Sequence, residues 1–244
     1  MKALILNSGL GSRMGVHTQD KPKCMADIGA GFTILSRQLT QLATAGVTEV
    51  VITTGPFANA LMAHVAGLHL PLQVTFVPCP DYAATNYIVS MHRAAPELRG
   101  HDVLLLHGDL VLESSVYADL LASDQSVMTV DATLPLPEKD FKAQLANGRI
   151  VAVGVQLFGA DCVACQPAYR WRAADFALWL DAIAAFVEQG DVRVYAENAF
   201  NAAQGAIPLQ PLALEGRLCH EIDNPEDLAA VSRHFLQTLA QEAL

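Results

Sequence analysis

Ala3-Leu4-Ile5-Leu6-Asn7 runs directly into Ser8-Gly9-Leu10-Gly11-Ser12-Arg13-Met14-Gly15. The first stretch is apolar up to its last residue, the pattern of a strand covered on both faces. Glycines at 9, 11 and 15 let the backbone approach a ligand and adopt positive φ, so that consecutive N–H groups point at an anion. Outward from here, short apolar runs alternate with helical patterns. A helix from about Thr33 to Ala45 is closed by Gly46, and Gly55-Pro56 ends a strand over Glu49–Thr54. There follow a helix over Ala58–Ala66, a strand over Leu72–Val77, a helix over Asn86–Ala95 and a strand over Asp102–His107. Such alternation implies parallel strands joined by right-handed crossovers.

The second half is less regular. Ser126–Asp131 and Ile150–Val155 read as strands. Ala173–Glu188 has helical periodicity, with Phe176, Trp179, Leu180, Ile183 and Phe186 on one side as a core stripe. Asp223-Asn224-Pro225-Glu226 opens a last helix, with Asn224 as N-cap and Pro225 at the first helical position. There is no internal repeat, low-complexity tract or linker, so the chain reads as one α/β domain over 1–244 with a small β-rich part.

Of the 244 residues, 52% are hydrophobic, enough to bury a sizeable core. Fifteen basic residues stand against 25 acidic ones, a net charge of −10 that argues against nucleic acid or an anionic membrane as partner. A small phosphate ligand remains compatible, because a few cations and backbone N–H groups suffice for it. Five scattered cysteines make no secreted disulfide framework. The N-terminal apolar run is too short for a signal segment, and no stretch approaches the roughly 20 apolar residues of a membrane span. The expected location is the cytoplasm.

Three readings of the glycine loop compete. A dinucleotide fingerprint wants its third glycine one place earlier and an acid closing the second strand, where this chain has Thr53-Thr54-Gly55. A P-loop wants Gly-Lys-Ser/Thr, which is absent. The third reading is a triphosphate cradle. Arg13 lies in the loop and Lys21-Pro22-Lys23 follows, supplying cations against the charge that moves onto departing pyrophosphate. On the loop alone, an ordinary strand-to-helix turn with surface lysines fits as well.

Leu6-Asn7-Ser8-Gly9-Leu10-Gly11-Ser12-Arg13-Met14, then Thr18, then Lys21-Pro22-Lys23-Cys24-Met25, resembles the L-x-A-G-x-G-x-R-[ML]…T…P-K-x-[ML] signature of the sugar-phosphate nucleotidyltransferases. Asn7-Ser8 in place of Ala-Ala and Val16 in place of Pro are departures. The resemblance implies a doubly wound, Rossmann-like, mixed but mostly parallel sheet. Residues 1–110 would be the nucleotide-binding half and 111–244 the acceptor and metal half. It implies catalysis by Lys23, Arg13 and Asp109. Nucleotide contacts are expected from Leu6, Asn7, Ser8, Gly9, Gly11, Ser12, Arg13, Lys23, Gly55, Thr85, Asn86, Ser90 and Gly108.

An acid just past the carboxyl end of the fourth strand, in His107-Gly108-Asp109, lies on the ligand edge of a parallel sheet. Mg²⁺ takes one or two carboxylates plus phosphate oxygens, so Asp109 is a natural ligand, although it also reads as a turn aspartate. Glu221-Ile222-Asp223 resembles the E-I-D segment near the end of the small cytidylyltransferases of this superfamily. Strand alternation puts Glu221 and Asp223 on one face, and Asp223 is expected as the second metal ligand or, alternatively, as a helix cap.

Three further segments resemble the phosphocholine cytidylyltransferase type: Asp81–Ser90, associated there with the pyrimidine base, Lys142–Val153, a strand pair, and Tyr195–Asn201. They imply CTP as nucleotide and Tyr195, Glu197 and Asn198 as acceptor contacts. A cationic head group needs aromatic faces or a carboxylate. Tyr82, Tyr169, Trp171, Tyr195 and Phe200 are candidates for the first, although Trp171 reads better as core. The acceptor is read as a small phospho- or phosphono-amino alcohol, phosphocholine or 2-aminoethylphosphonate, with hexose 1-phosphate as the alternative. A homodimer is compatible with all of this. Cys162-Val163-Ala164-Cys165 lacks a second ligand pair and reads as two buried side chains. Cys24, beside Lys23, is expected to be reactive if the cation lowers its pKa. His107 and His220 precede the proposed metal acids and are read as supporting them.

Overall fold

The computed structural model describes residues 1–203 and 205–242. The alternating first half forms β1 (Lys2–Asn7), β2 (Asp27–Gly29), β3 (Phe32–Thr33), α1 (Ile34–Thr44), β4 (Glu49–Thr54), α2 (Ala58–Gly67), β5 (Gln73–Pro78), α3 (Tyr87–Leu98) and β6 (Val103–His107). The second half supplies β7 (Leu110–Leu112), α4 (Ser114–Ala122), β8 (Val127–Asp131), β9 (Lys142–Ala146), β10 (Arg149–Gly154) and β11 (Cys162–Trp171). It continues with α5 (Ala173–Glu188), α6 (Ala196–Ala202), β12 (Gln210–Ala213), β13 (Cys219–Glu221) and α7 (Pro225–Glu242).

β5, β4, β1 and β6 lie side by side in parallel, and the antiparallel β11 follows on the far side of β6. The chain therefore runs outward from β1 to β5 and then returns to β1's other edge. That reversal between β1 and β6 opens a crevice at their carboxyl ends, where ligands of such sheets bind. Alternation along β1 divides the core. Leu4 and Leu6 join α3, α5 and α6 on one face, and Ala3 and Ile5 join α1, α2 and α4 on the other.

The β-rich part is larger than the sequence implies. β11, ten residues long, is missing from the sequence reading and joins the two halves, pairing with β6, β8 and β9. Its register against β8 shifts between Cys165 and Tyr169, as the missing N–H of Pro167 requires. β9 and β10 form the expected pair, turning through Asn147 and Gly148, both at positive φ as a tight hairpin turn demands.

A third apolar cluster seats α7. Val231 and Phe235 pack with Met14, Ile28, Ile34 and Ile222, which fixes β13 and the residues after it against the Lys23 turn. Asn224 Oδ1 accepts from Asp227 N at 2.9 Å and Pro225 begins the helix, as expected.

Candidate active site

The glycine loop is built by exclusion as much as by flexibility. Gly11 takes a left-handed conformation (φ 62°), and Thr18 Oγ1 donates to its carbonyl at 3.1 Å, closing the loop over a 3-10 turn. Ser8 Oγ and Ser90 Oγ share a hydrogen bond of 2.6 Å, tying the loop to α3. A side chain at Gly55 would strike Ser8's carbonyl, and one at Gly108 would strike the Asn7 amide and the Leu6 carbonyl. At Gly9 a Cβ would meet nothing within 4 Å, so its open side faces the space above the loop.

β1 pairs with β6 so that Leu6 stands beside His107, which puts Gly108 and Asp109 against the start of the loop. The buried Gln38 of α1 holds this turn, donating from Nε2 to the carbonyls of His107 at 2.8 Å and Leu110 at 3.0 Å. β13 pairs with β7 just beyond the turn, Glu221 opposite Leu110, and this delivers Glu221 and Asp223 to the same place.

Lys23 Nζ lies between two carboxylates, 2.5 Å from Asp109 Oδ2 and 2.9 Å from Asp223 Oδ1. Arg13 Nη2 takes the other Asp223 oxygen at 2.9 Å. Burial disfavours the Lys23 ammonium, but Asp109 and Asp223 outweigh it and hold its pKa at about 12. Burial likewise pushes the Asp109 carboxyl upward, yet Lys23 and His107 pull it below the usual carboxylate range. Glu221 goes the other way: burial and the neighbouring Asp109 charge raise it, although it pairs with His107 Nδ1 at 3.3 Å. Burial opposes a charge on His107, and Glu221 overcomes this and raises its pKa.

These groups floor a cleft of about 400 Å³ that includes Leu6, Asn7, Gly9, Gly11, Ser12, Arg13, Lys23, Gly108 and Tyr195 among its walls. Lys139, Asp140 and Phe141 line it too. A side pocket of about 180 Å³ opens between the loop and α3, lined by Ser8, Gly9, Tyr82, Thr85, Asn86 and Ser90. Tyr87 borders both spaces, its ring edge-on to His107 at 4.8 Å.

Some expected residues lie elsewhere. Glu197 is 2% exposed and accepts hydrogen bonds from the Tyr87 hydroxyl and from Tyr169 Oη at 2.8 Å, so it braces the cleft wall from behind. Asn198 is exposed and lines neither space. Gly55 supports Ser8 and lines neither space, whereas Gly108 lines the cleft and also makes room for Asn7 and Leu6. Tyr169, Trp171 and Phe200 are core residues, leaving Tyr82 and Tyr195 as the aromatic candidates at the two spaces. The expectation of a reactive Cys24 fails: the side chain is 1% exposed and burial drives its thiol pKa up. Cys162 is half-buried rather than buried, while Cys165 is buried. His107 does support the acids, through Glu221; His220 is exposed, with Nδ1 2.7 Å from the Glu221 carbonyl oxygen.

Gln38 and Tyr87 escaped the sequence reading. Gln38 had one sign: it is a polar residue on the buried Ile34–Leu35–Leu39–Leu42 stripe of α1. Tyr87, next to the helix cap Asn86, had none.

A curated relative, CMP-5'-(3-aminopropyl)phosphonate synthase of Streptomyces rubellomurinus, is 36% identical over 136 residues. That match covers 56% of this chain and 21% of the relative, so the chain spans about a fifth of that protein's length. The solved structure of CTP:phosphocholine cytidylyltransferase from Streptococcus pneumoniae superposes with TM-score 0.77 at 17% identity, covering 96% of this chain and 98% of that one. The inositol-1-phosphate CTP transferase of T. maritima gives TM-score 0.79 at 19% identity, over 97% and 95%. At such identities the superpositions establish the α/β fold. Among the described residues no helix is long and apolar enough to cross a membrane. A family model, the MobA-like NTP transferase domain, matches residues 3–241, and the chain belongs to that family of nucleotidyltransferase enzymes.

Proposed function

We propose that the chain transfers a cytidylyl group from CTP to a small phosphonate or phosphate that carries an amino group, releasing pyrophosphate. The observation that carries the reading is the Lys23 ammonium held between Asp109 and Asp223 beneath the glycine loop. The relative named for a CMP-aminoalkylphosphonate supports the cytidylyl group and the acceptor class. Lys139 and Asp140, which also line the cleft, support the acceptor class: one offers a cation for the phosphonate and the other a carboxylate for the amine. The shared sheet of β6 and β11 supports reading the two halves as one domain.

A divalent cation fits the floor. Asp109 Oδ1 is buried with no hydrogen-bond partner among the described residues, and Lys23 already marks the space between the two carboxylates as one for positive charge. Asp109 and Asp223 would hold Mg²⁺, which would supply charge neutralisation on the phosphate oxygens.

The chain's own residues do the rest by position and charge. The pyrimidine and ribose occupy the side pocket between Ser8 and Asn86, and the loop N–H groups hold the phosphates. An anionic oxygen of the acceptor attacks the α-phosphorus in line. The new P–O bond forms as the bond to pyrophosphate breaks, and no proton need be removed. Lys23 faces the charge developing at the α-phosphorus, and Arg13, 69% exposed in its side chain, swings from Asp223 to the leaving pyrophosphate.

Pyrophosphate release measured with four nucleoside triphosphates against a panel of acceptors tests this. CTP with an aminoalkylphosphonate or phosphocholine is expected to exceed the other nucleotides, and hexose 1-phosphates with CTP, by at least about a hundredfold in kcat/KM, the scale on which unpaired polar groups penalise a wrong ligand. A hexose 1-phosphate as the best acceptor would overturn the acceptor assignment.

A further inference from the structure

We infer that His107, Asp109 and Glu221 form a mixed nitrogen–oxygen cation site at the cleft floor that takes Mn²⁺ in preference to Mg²⁺. The inference deepens the reading above: it assumes that the cleft takes a divalent cation, but not which nucleotide or acceptor it uses.

The geometry comes first. A ring nitrogen of His107, one carboxylate oxygen of Asp109 and one of Glu221 all lie within 4.8 Å of one another. A cation with ligands about 2.1 Å away holds neighbouring ligand atoms about 3 Å apart and opposite ones about 4.2 Å apart, so small side-chain shifts bring all three into range. The backbone arrangement is already fixed. Gln38 pins both ends of the 107–110 turn, and the pairing of β13 with β7 sets Glu221 beside it.

The second observation is unused bonding capacity. Lys23 occupies Asp109 Oδ2 and leaves Oδ1 buried with no hydrogen-bond partner among the described residues. His107 is 9% exposed, and its Nε2 is likewise buried and unpartnered there. Two buried polar atoms on adjacent side chains, both left unsatisfied, are an expensive arrangement that a ligand would resolve. Lys23 is shared between Asp109 and Asp223, and Glu221 faces the His107 ring, 3.3 Å from Nδ1, rather than a lysine or arginine.

Donor chemistry then sets the preference. Oxygen-only sites suit Mg²⁺, whereas an imidazole nitrogen raises affinity for first-row transition ions and adds little for Mg²⁺. A site with one nitrogen and two carboxylate oxygens is expected to bind Mn²⁺ at least about tenfold more tightly than Mg²⁺.

Manganese(II) itself is the probe, added to the full chain without nucleotide. Loss of the free-ion electron paramagnetic resonance signal gives the affinity, Mg²⁺ competition gives the preference, and pulsed measurements read ¹⁴N coupling to the bound ion. The wild type is expected to show one tight Mn²⁺ site with imidazole ¹⁴N coupling. His107→Gln, checked for folding by thermal melting, is expected to lose the coupling and about tenfold in Mn²⁺ affinity while Mg²⁺ affinity changes little. Bound Mn²⁺ in the wild type without ¹⁴N coupling, or equal affinity for the two ions, overturns the inference whatever the variant does. Cytidylyl transfer without that coupling defeats this inference alone. Coupling without cytidylyl transfer defeats the functional reading and leaves the cation site standing.

Discussion

Lys23→Ala is expected to lower turnover on the order of a thousandfold, the scale of losing a group that meets charge developing in a transition state. The residue does two things. In the proposed reaction it faces the α-phosphorus, and it neutralises Asp109 and Asp223, which stand at 2.5 and 2.9 Å from its ammonium. The variant should therefore fold but melt at a lower temperature without divalent cation, since Asp109 loses its ammonium and Asp223 keeps only the exposed Arg13 beside Glu221. Adding Mg²⁺ should recover part of the melting temperature and none of the turnover. The pH dependence has a definite sign. Lys23's pKa is raised from 10.5 to about 12, so its contribution to stability is complete below the ordinary value and is lost as pH rises through about 12. Asp109's is lowered from 3.8, so its contribution is present above that value and is lost as pH falls through the depressed one. Wild-type turnover in Lys23→Ala would remove the catalytic assignment.

Asp109→Asn is expected to be as severe, for a different reason. The amide keeps the shape of the turn that Gln38 holds, and Lys23 keeps its contact with Asp223. What disappears is the carboxylate that projects from the end of β6 toward the cleft. Turnover should fall by about a thousandfold, circular dichroism should be unchanged, and the rise in melting temperature that Mg²⁺ and CTP give the wild type should vanish. Persistence of that rise in Asp109→Asn would place the cation elsewhere.

The parallel centre of the sheet was legible because β1, β4 and β6 are buried on both faces, which leaves unbroken Leu, Ile and Val runs with glycine or polar stops. β11 was not, because Gln166-Pro167 interrupts its apolar pattern and the bulge that accommodates Pro167 has no local signature. β7 and β13 are three residues each, too short for any periodicity to show.

The same division runs through the site. Lys23 and Asp109 could be picked out because each lies in a motif or at a strand end. That Lys23 and Asp223, 200 residues apart, share a contact is a property of the fold, set by α7 packing on the Lys23 turn. Glu197 misled for a physical reason. An acid in a Tyr-Ala-Glu-Asn segment reads as a surface ligand, but two tyrosine hydroxyls satisfy it in the core. Gln38 shows the converse, a polar side chain buried to hold two carbonyls of the 107–110 turn.

Phosphorus-31 NMR of the wild-type chain with CTP, Mg²⁺ and 2-aminoethylphosphonate reads the bond that the account says is made. It predicts pyrophosphate and a mixed phosphonic–phosphoric anhydride growing in equal amounts as CTP and free phosphonate decline. Unchanged CTP and phosphonate with this acceptor and with phosphocholine, or CTP consumed with only free CMP as its product, would contradict it.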